Sequence, residues 1–409
     1  MRIAYLVSRY PAPSHAFLAR EVEGLRAAGL EVETISIRRP AAAELLTDGD
    51  RSEAERTFSV LPCGPLALLA AQLAAIARGP HYYLLTLARA LRLASPGFRA
   101  HLWALFYFAE AMVVRRHCRR LGISHVHAVQ FADGAGDVAL LAAHRAYEGG
   151  RSWTFSIAIH GPGELYEVTR YGLAEKIRRA HLVVVPAEFT RSQLLAQVEE
   201  WHGSRIEVVH MGVDLERFRL RPDSGRSGAE ARVLCVARLV RHKGHATLLR
   251  ALAELRDEGL PLRTTIVGSG PERESLEELR RDLGLDGQVE LAGAVGQDDL
   301  PGYYRDADVF CLPTLAETVG VVNMEAMASG CAVLTSDLMG IPELIEEGVE
   351  GLLVTPGRKG ELAAALRVLA TDPPLRRRLG EAARRKVEER FDARAEAARL
   401  SALLREFVP

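Results

Sequence analysis

The chain has 409 residues, of which 48% are hydrophobic and 26% are charged, and its formal net charge is −1. This composition is typical of a globular protein of two or three domains, and the charge balance excludes a strongly basic nucleic-acid binder. The five cysteines lack metal or disulfide spacing, which favours a reducing, cytoplasmic compartment.

The first residues have the pattern of a parallel α/β sheet. Residues 2–7 and 31–37 are apolar runs rich in β-formers, and residues 16–28 between them have helical spacing. The first run is too short for a signal peptide and is predicted to be a buried strand. Loop 8–17 follows its carboxyl end, where such sheets bind ligands, but its two prolines suit a plain connection equally well.

Residues 58–120 break this alternation and are predicted to be a helical insertion. Residues 58–77 carry no charge, yet their prolines leave an apolar helix too short to span a bilayer. Arginines flank the helices, and four of them fall within residues 115–120. Two interpretations stay open: peripheral contact with an anionic membrane, or packing on the N-terminal sheet with the arginines in solvent.

Two further predicted strands carry histidines. His125 and His127 alternate along residues 123–129 without the additional ligands of a zinc site, which favours a core or pocket role. His160 follows the strand at residues 152–159, at a carboxyl end where polar groups tend to face a ligand crevice. The alternative for His160 is an ordinary hydrogen-bonded loop histidine.

The second half of the chain begins a new sheet. Residues 219–231 are polar and rich in turn formers, which indicates a linker. A buried strand at residues 232–237 then leads to Arg238 and Lys243, beside Gly244. Two cations at a strand-to-helix turn are suited to neutralise a diphosphate.

Two more strands follow, at residues 264–267 and 289–293. A Gly-x-Gly turn beginning at Gly268 follows the first of them, and Val295 follows the second. The full dinucleotide fingerprint G-x-G-x-x-G is absent, so this turn alone is weak evidence for a nucleotide site.

The strongest functional pattern lies in residues 308–335. This segment is predicted to form a strand, a loop, a helix and a second strand. Gly320 allows the backbone to approach a ligand closely, and the amides of Gly320, Val321 and Val322 at the helix start suit an anion.

Two glutamates flank this anion site. Glu317 lies in the loop before the helix, and Glu325 lies about a turn and a half inside it. Ionised carboxylates beside a phosphate site can accept the hydroxyl hydrogens of a sugar diol, so the segment suits a nucleotide sugar.

Glu317, seven residues and Glu325, followed by Ala326-Met-Ala-x-Gly330, resemble the EX7E signature of retaining glycosyltransferases of family 4. The resemblance is dense from about Ser204 to Phe391 and looser before that. It implies the α/β fold called GT-B, with two doubly wound Rossmann-like domains facing a central cleft. The first domain would bind the acceptor and the second the nucleotide sugar.

The resemblance also implies roles for individual residues. Glu317 would lie near the transferred sugar and Glu325 near the nucleotide ribose, while main-chain groups near Val295 would hold the base. The implied catalytic residues are His160, Arg238, Lys243 and Glu317. The implied donor-binding residues are Arg238, Lys243, Gly268, Val295, Glu317, Gly320, Val321, Val322 and Glu325. No metal is expected, and the UDP- or GDP-linked sugar is a co-substrate, with no other cofactor.

The predicted domains are residues 1–218 with the insertion at about 58–120, a linker at 219–231, a donor domain at 232–390, and a C-terminal helix at 391–409 that crosses back to the first domain. The predicted activity is metal-independent, retaining hexosyl transfer in polysaccharide, glycolipid or glycosylated-metabolite biosynthesis. The acceptor would be a sugar, a lipid-linked compound or a small molecule, and the location cytoplasmic or peripheral on the inner membrane face.

No catalytic nucleophile is identified in the first-domain motifs, so the resemblance favours a front-face mechanism in which the leaving phosphate helps to deprotonate the acceptor. A nucleotide-sugar epimerase of the same fold is one alternative, and it would need first-domain acid/base carboxylates that are not identified. A non-catalytic sugar-nucleotide-binding protein is the other, and it would have lost one of the motif residues, all of which are present.

Overall fold

The computed structural model describes residues 1–12, 16–130, 134–145, 147–148, 151–166, 172–220 and 231–408. The chain forms two compact units, Met1–His210 with Ala397–Pro409, and Met211–Glu396. Most of the predicted linker at 219–231, and part of loop 8–17, lie outside the described residues.

The first unit is built on a seven-stranded sheet, with a separate two-stranded ribbon. In chain order, the strands of this unit are β1 (Arg2–Arg9), β2 (Glu31–Arg38), β3 (Phe58–Leu61), β4 (His125–Gln130), β5 (Tyr147–Glu148), β6 (Arg151–Ser152), β7 (Thr154–Ile159), β8 (Leu182–Val185) and β9 (Ile206–Val208). The ribbon pairs β5 with β6, and the other seven strands run parallel in the order β3-β2-β1-β4-β7-β8-β9.

The helices of the first unit are α1 (Ala16–Ala27), α2 (Asp48–Arg56), α3 (Pro65–Arg78), α4 (Pro80–Leu93), α5 (Phe98–Arg120), α6 (Ala135–Ala143), α7 (Gly163–Tyr166), α8 (Leu173–Arg179) and α9 (Glu188–Leu195). Short 3₁₀ helices occur at Ala42–Glu44 and Glu200–Arg205.

Both faces of the first sheet are covered. Ile3 and Tyr5 of β1 pack into one core and Ala4 and Leu6 into the other, because successive residues of a strand point to opposite faces. Strands buried on both faces read as continuous apolar runs, which is how β1 appears in the sequence.

Residues 58–61 correct the predicted insertion. They form the edge strand β3, paired with β2, and the helices of the segment begin only at Pro65. Three helices, α3, α4 and α5, then occupy the rest of the segment. Among the described helices, none combines the length and apolarity that crossing a bilayer requires.

Arg115 corrects the predicted basic cluster at residues 115–120. Its side chain is buried and donates hydrogen bonds to the carbonyl oxygens of Leu141, Ala142 and His144 at the end of α6. Burial lowers the pKa of Arg115 to about 10. The cation therefore caps a helix C-terminus, and for Arg115 neither open interpretation holds, because its side chain faces neither a membrane nor solvent.

The second unit contains a six-stranded parallel sheet. Its strands are β10 (Arg232–Val236), β11 (Arg263–Val267), β12 (Val289–Gly293), β13 (Val309–Leu312), β14 (Ala332–Ser336) and β15 (Gly351–Val354), in the order β12-β11-β10-β13-β14-β15. The remaining helices are α10 (His245–Asp257), α11 (Arg273–Asp282), α12 (Leu300–Asp306), α13 (Val321–Ala328), α14 (Ile341–Leu344), α15 (Lys359–Thr371), α16 (Pro373–Arg390) and α17 (Ala393–Phe407).

The last helix, α17, begins in the second unit and ends in the first. Its residues Leu400 and Leu404 are fully buried in the same core as Ile3 and Tyr5 of β1.

Candidate active site

The second sheet places most of the predicted site residues at one edge. Its strands are parallel, so the loops after them all leave from the same end of the sheet. The strand order reverses between β10 and β13, and such a reversal in an open α/β sheet leaves a crevice for a ligand. Arg238 and Lys243 follow β10, and Glu317 and Gly320 follow β13.

Lys243 and Glu317 form an ion pair at this point. The distance from Lys243 Nζ to Glu317 Oε2 is 2.5 Å, and the two side chains are only 13% and 14% exposed. An ammonium has three N–H donors, so the bond to Glu317 leaves capacity for phosphate oxygens. The pair holds one cation and one carboxylate side by side on adjacent loops.

The two loops that carry this pair pack backbone against backbone. Gly244 has a φ of +75°, and a Cβ atom there would lie 1.9 Å from the carbonyl oxygen of Pro313. Leu315 N and Thr314 Oγ1 both donate to the carbonyl oxygen of His242, at 2.6 and 3.0 Å. Gly244 is therefore required by its conformation and by the close approach of the loops.

The start of α13 lies directly against Glu317. Gly320 precedes this helix with a φ of +82°, and a Cβ atom there would be 2.9 Å from Asn323 Nδ2 and 3.2 Å from Glu317 Cγ. The amides of Val321 and Val322 belong to the first turn, which has no intrahelical acceptors for them. The positive end of the helix dipole thus lies next to the ion pair.

Glu325 lies in different surroundings from Glu317. It is 3% exposed, and its Oε2 accepts a hydrogen bond of 3.0 Å from the hydroxyl of Tyr304. Tyr304 is fully buried between the rings of Phe218 and Phe310. Burial, and then the charge of Glu325, raise the pKa of Tyr304 well above its usual value, so the phenol stays protonated and donates.

Tyr304 was not identified from the sequence. It precedes Glu325 by 21 residues and stands in an ordinary amphipathic helix, α12, where a tyrosine reads as core. Only the folded structure brings it to the carboxylate.

The loop after β11 packs against the loop after β10. Gly268 donates its amide to the carbonyl oxygen of Gly293 at 2.8 Å, and a Cβ atom at Gly268 would lie 1.9 Å from the carbonyl oxygen of Ala237. Leu239 donates to Ser269 at 2.9 Å. Val295 is half-buried in the loop after β12. Both predicted residues, Gly268 and Val295, thus lie at the carboxyl edge of the sheet.

The local electrostatic field beside β10 is positive. Burial, followed by the charges of Lys243 and Arg238, lowers the pKa of His242. Burial and then Lys243 lower the pKa of His245 to about 4. Arg238 is exposed and, within the described part of the chain, its side chain makes no hydrogen bond or ion pair. The two cations are arranged to attract an anion.

His160 belongs to the first unit, directly after β7. It is 4% exposed, and its ring meets that of Phe17 edge to face, with the centroids 5.3 Å apart. Over the described residues, no group of three or more histidine, cysteine, aspartate or glutamate side chains could hold a metal ion.

The second unit matches a known protein family. Residues 216–386 fit the family model described as glycosyl transferases group 1. A GDP-mannose-dependent alpha-(1-6)-phosphatidylinositol monomannoside mannosyltransferase of Mycolicibacterium smegmatis is 30% identical over 310 residues, which cover 72% of this chain and 80% of that protein. The chain therefore belongs to the group 1 glycosyltransferases, and the prediction that it is a glycosyltransferase is confirmed.

A second relative is more similar over a shorter stretch. The D-inositol 3-phosphate glycosyltransferase of Streptomyces avermitilis is 37% identical over 214 residues, which cover 48% of this chain. The chain spans about half of that relative, 46% of its length.

Solved structures establish the fold. Sucrose-phosphate synthase from Thermosynechococcus elongatus superposes with a TM-score of 0.76 at 20% identity, covering 99% of both chains. Anabaena HepE, solved in complex with UDP and glucose, gives a TM-score of 0.72 at 18% identity, covering 98% of this chain and 99% of that one. The predicted GT-B fold, with two Rossmann-like parallel sheets, is confirmed.

Proposed function

We propose that the chain is a retaining glycosyltransferase of family 4 that moves a hexose from a UDP- or GDP-linked donor to an acceptor hydroxyl. The observation that carries this proposal is the Lys243–Glu317 pair, set against the first turn of α13 where the strand order reverses. A diphosphate needs cations and free amides, and a sugar needs carboxylate acceptors. Both are present within one pair of adjacent loops.

The departing nucleoside diphosphate is stabilised from two sides. Arg238 and Lys243 supply positive charge, and the amides of Gly320, Val321 and Val322 supply hydrogen-bond donors. Such groups are held in place before the reaction, so they can lower the barrier by several kcal/mol without reorganising. Val295 and Gly268 line the nucleotide end of this site.

The two motif glutamates divide the donor between them. Glu317, next to Lys243, binds the transferred sugar near the phosphate. Glu325 lies deeper and is held by Tyr304, and it binds the ribose hydroxyls. A donor-sugar role for His160 rests only on its match to the family's histidine at a strand carboxyl end.

These residues favour a mechanism that retains the anomeric configuration of the sugar without forming a covalent intermediate with the enzyme. A double displacement requires a carboxylate free to attack the anomeric carbon, whereas Glu317 is engaged by the Lys243 ammonium. In the proposed front-face reaction, the leaving phosphate takes the proton of the acceptor hydroxyl as the new glycosidic bond forms. No metal is required, because Arg238 and Lys243 supply the positive charge.

The names of the relatives guide the choice of acceptor. One acts on phosphatidylinositol monomannoside and the other is a D-inositol 3-phosphate glycosyltransferase. We propose that this chain glycosylates a sugar or polyol hydroxyl, free or lipid-linked, from a peripheral position on the inner membrane face. Polysaccharide, glycolipid or glycosylated-metabolite synthesis fits such an activity.

A thermal-shift screen of UDP- and GDP-linked hexoses tests donor binding, because a ligand that binds only the folded state raises its melting temperature. The donor found this way is then incubated with inositol and sugar acceptors, with and without a chelator, and the product anomer is assigned by NMR. A product with the donor's anomeric configuration, formed equally in chelator, is expected. An inverted product, or activity lost in chelator, would contradict the mechanism.

The same screen separates the alternatives. An epimerase would release free nucleotide without any acceptor. A non-catalytic binding protein would show the thermal shift with every donor analogue but no turnover with any acceptor.

A further inference from the structure

The helices of the insertion expose an unusual amount of apolar surface. In the described part of the chain, nineteen large hydrophobic side chains are exposed, and twelve of them lie on α3, α4 and α5 between residues 66 and 106. Leu66, Leu73 and Phe98 have exposed fractions of 82%, 55% and 84%, and the aromatic residues Trp103 and Phe106 have fractions of 46% and 51%. We refer to the exposed side chains of residues 66–106 as the insertion surface.

The exposed residues follow the helical repeat. On α3 they recur at Leu66, Leu69, Leu73 and Ile76, which form one stripe. The opposite side of α3 is used inside the unit, where Ala71 is buried in the core. Isolated exposed leucines are normal on protein surfaces, but a concentration of this kind marks an interaction site.

The charged side chains of the same helical segment, residues 66–106, are all basic. No aspartate or glutamate occurs from Thr57 to Ala109. Arg78, Arg92 and Arg99 are exposed in this stretch, whereas Arg89 pairs with Glu175 at 2.8 Å. The insertion surface thus combines apolar side chains with arginines that have no carboxylate in the run to pair with.

We propose that the insertion surface binds the anionic face of a lipid bilayer. The leucines and aromatic rings enter the boundary between headgroups and acyl chains, and Arg78, Arg92 and Arg99 contact the phosphate-bearing headgroups. Trp103 and Tyr82 have the amphipathic rings that are enriched at this depth of a membrane.

This assignment removes Arg115 from the proposed contact and centres the contact on residues 66–106. Arg115 is buried, and Arg120 ends the 23-residue helix α5, roughly 34 Å from its start at Phe98. The surface still reaches the arginine run along α3, because Arg116 Nη1 donates to the carbonyl oxygen of Ala67, beside Leu66, at 3.5 Å.

Charge argues against a second copy of the chain as the partner. In a twofold contact the same patch meets itself, so Arg78, Arg92 and Arg99 would face their own counterparts without an acidic residue from the run between them. Like charges brought together in this way oppose association. An anionic bilayer satisfies the apolar and the cationic side chains at once.

Vesicle co-sedimentation of the full chain tests the proposal without donor or acceptor, so its outcome is independent of sugar transfer. The probes are vesicles of phosphatidylcholine alone and equimolar mixtures with phosphatidylglycerol. Strong binding to the mixed vesicles, weakened by salt, is expected, together with a blue shift of tryptophan emission. The shift should disappear in Trp103→Phe while binding remains.

Paired variants with matched controls locate the contact. Arg92→Gln with Arg99→Gln should weaken binding about 25-fold, since each basic residue near an anionic surface contributes about fivefold. Leu69→Gln with Leu73→Gln should weaken binding to mixed vesicles at least about tenfold. The controls are Arg377→Gln with Arg378→Gln and Val349→Gln with Val368→Gln, exposed pairs in the second unit that should bind like the parent.

Three results would overturn the proposal. They are no binding to either vesicle, equal binding to neutral and anionic vesicles, or equal losses for the insertion and control pairs. A concentration-dependent dimer by analytical ultracentrifugation that Leu69→Gln with Leu73→Gln dissolves, without vesicle binding, would identify a second copy as the partner instead.

Discussion

Glu317 and Glu325 belong to one motif but differ in their surroundings. Glu317 pairs with Lys243 near the surface, whereas Glu325 is buried against Tyr304. We expect Glu317→Gln to lower kcat with little change in nucleotide affinity, and Glu325→Gln to raise the donor KM first. Steady-state kinetics and calorimetric titration with the free nucleotide separate the two effects. The reverse pattern would refute the assignment.

Tyr304 is predicted to position Glu325 for the donor. Tyr304→Phe keeps the ring between Phe218 and Phe310 and removes only the hydroxyl, leaving a buried carboxylate oxygen without that donor. The loss should cost roughly 1–3 kcal/mol of unfolding free energy and raise the donor KM more than it lowers kcat.

Denaturant melts measure the unfolding free energy of the Tyr304→Phe variant, and steady-state kinetics measure its donor KM and kcat. Tyr303→Phe is the matched control, because Tyr303 is the adjacent tyrosine and is only half-buried. A destabilised Tyr304→Phe variant with an unchanged donor KM would leave the tyrosine a purely structural role.

For single residues, the sequence shows which side chains stand at a turn, but it does not show which side chains are buried. The sequence could place Arg238, Lys243 and Gly320 at strand-to-helix turns, because cations and glycines there have a local signature. Tyr304 and Arg115 could not, since whether a side chain is buried, and by what, depends on helices distant in sequence. In the sequence, Arg115 cannot be distinguished from its neighbour Arg116. In the structure, Arg115 donates hydrogen bonds to carbonyl oxygens of α6.

The loops after β10 and β13 act as one element because their backbones touch. Gly244→Ala would place a Cβ atom 1.9 Å from the Pro313 carbonyl oxygen, at a φ of +75°. We expect the loops to separate, with a loss of at least about 1 kcal/mol in stability and weaker nucleotide binding. Thermal melting and nucleotide titration measure both.

Gly360→Ala is the control for that change. Gly360 lies in α15 with nothing within 4 Å of a new Cβ atom, so the substitution should be neutral or stabilise by up to about 1 kcal/mol. Equal behaviour of the two variants would show that the contact between the loops does not hold the site together.

Strands and helices with a regular hydrophobic period could be predicted, and a segment that was predicted wrongly has a physical explanation. The alternation of strands and helices gave the parallel sheets, because buried strands are continuous apolar runs. Phe58–Leu61 was assigned to the helical insertion, but it pairs with β2. A four-residue apolar run cannot be told from a buried helical segment by periodicity alone.

For the whole molecule, two α/β units could be predicted from the order of strands and helices. The family resemblance implied their GT-B fold, and solved structures confirm that fold. The family resemblance implies that the last helix crosses back to the first domain, but the sequence does not show which strand the helix packs against. Leu400 and Leu404 have ordinary helical spacing, and only folding shows that they pack with β1, nearly the whole chain away.

The central claim is that the reversal point of the second sheet holds a nucleoside diphosphate through Lys243. Calorimetric titration of UDP and GDP into the parent, Lys243→Gln and Arg241→Gln tests it most directly, because Arg241 is an exposed cation in the same 3₁₀ turn, Arg241–Lys243. One of the two nucleotides should bind the parent. Lys243→Gln should weaken that binding by roughly 1.5–3 kcal/mol, more than tenfold, and Arg241→Gln by less than about twofold. Equal affinities for Lys243→Gln and Arg241→Gln, or a larger loss for Arg241→Gln, would contradict the claim.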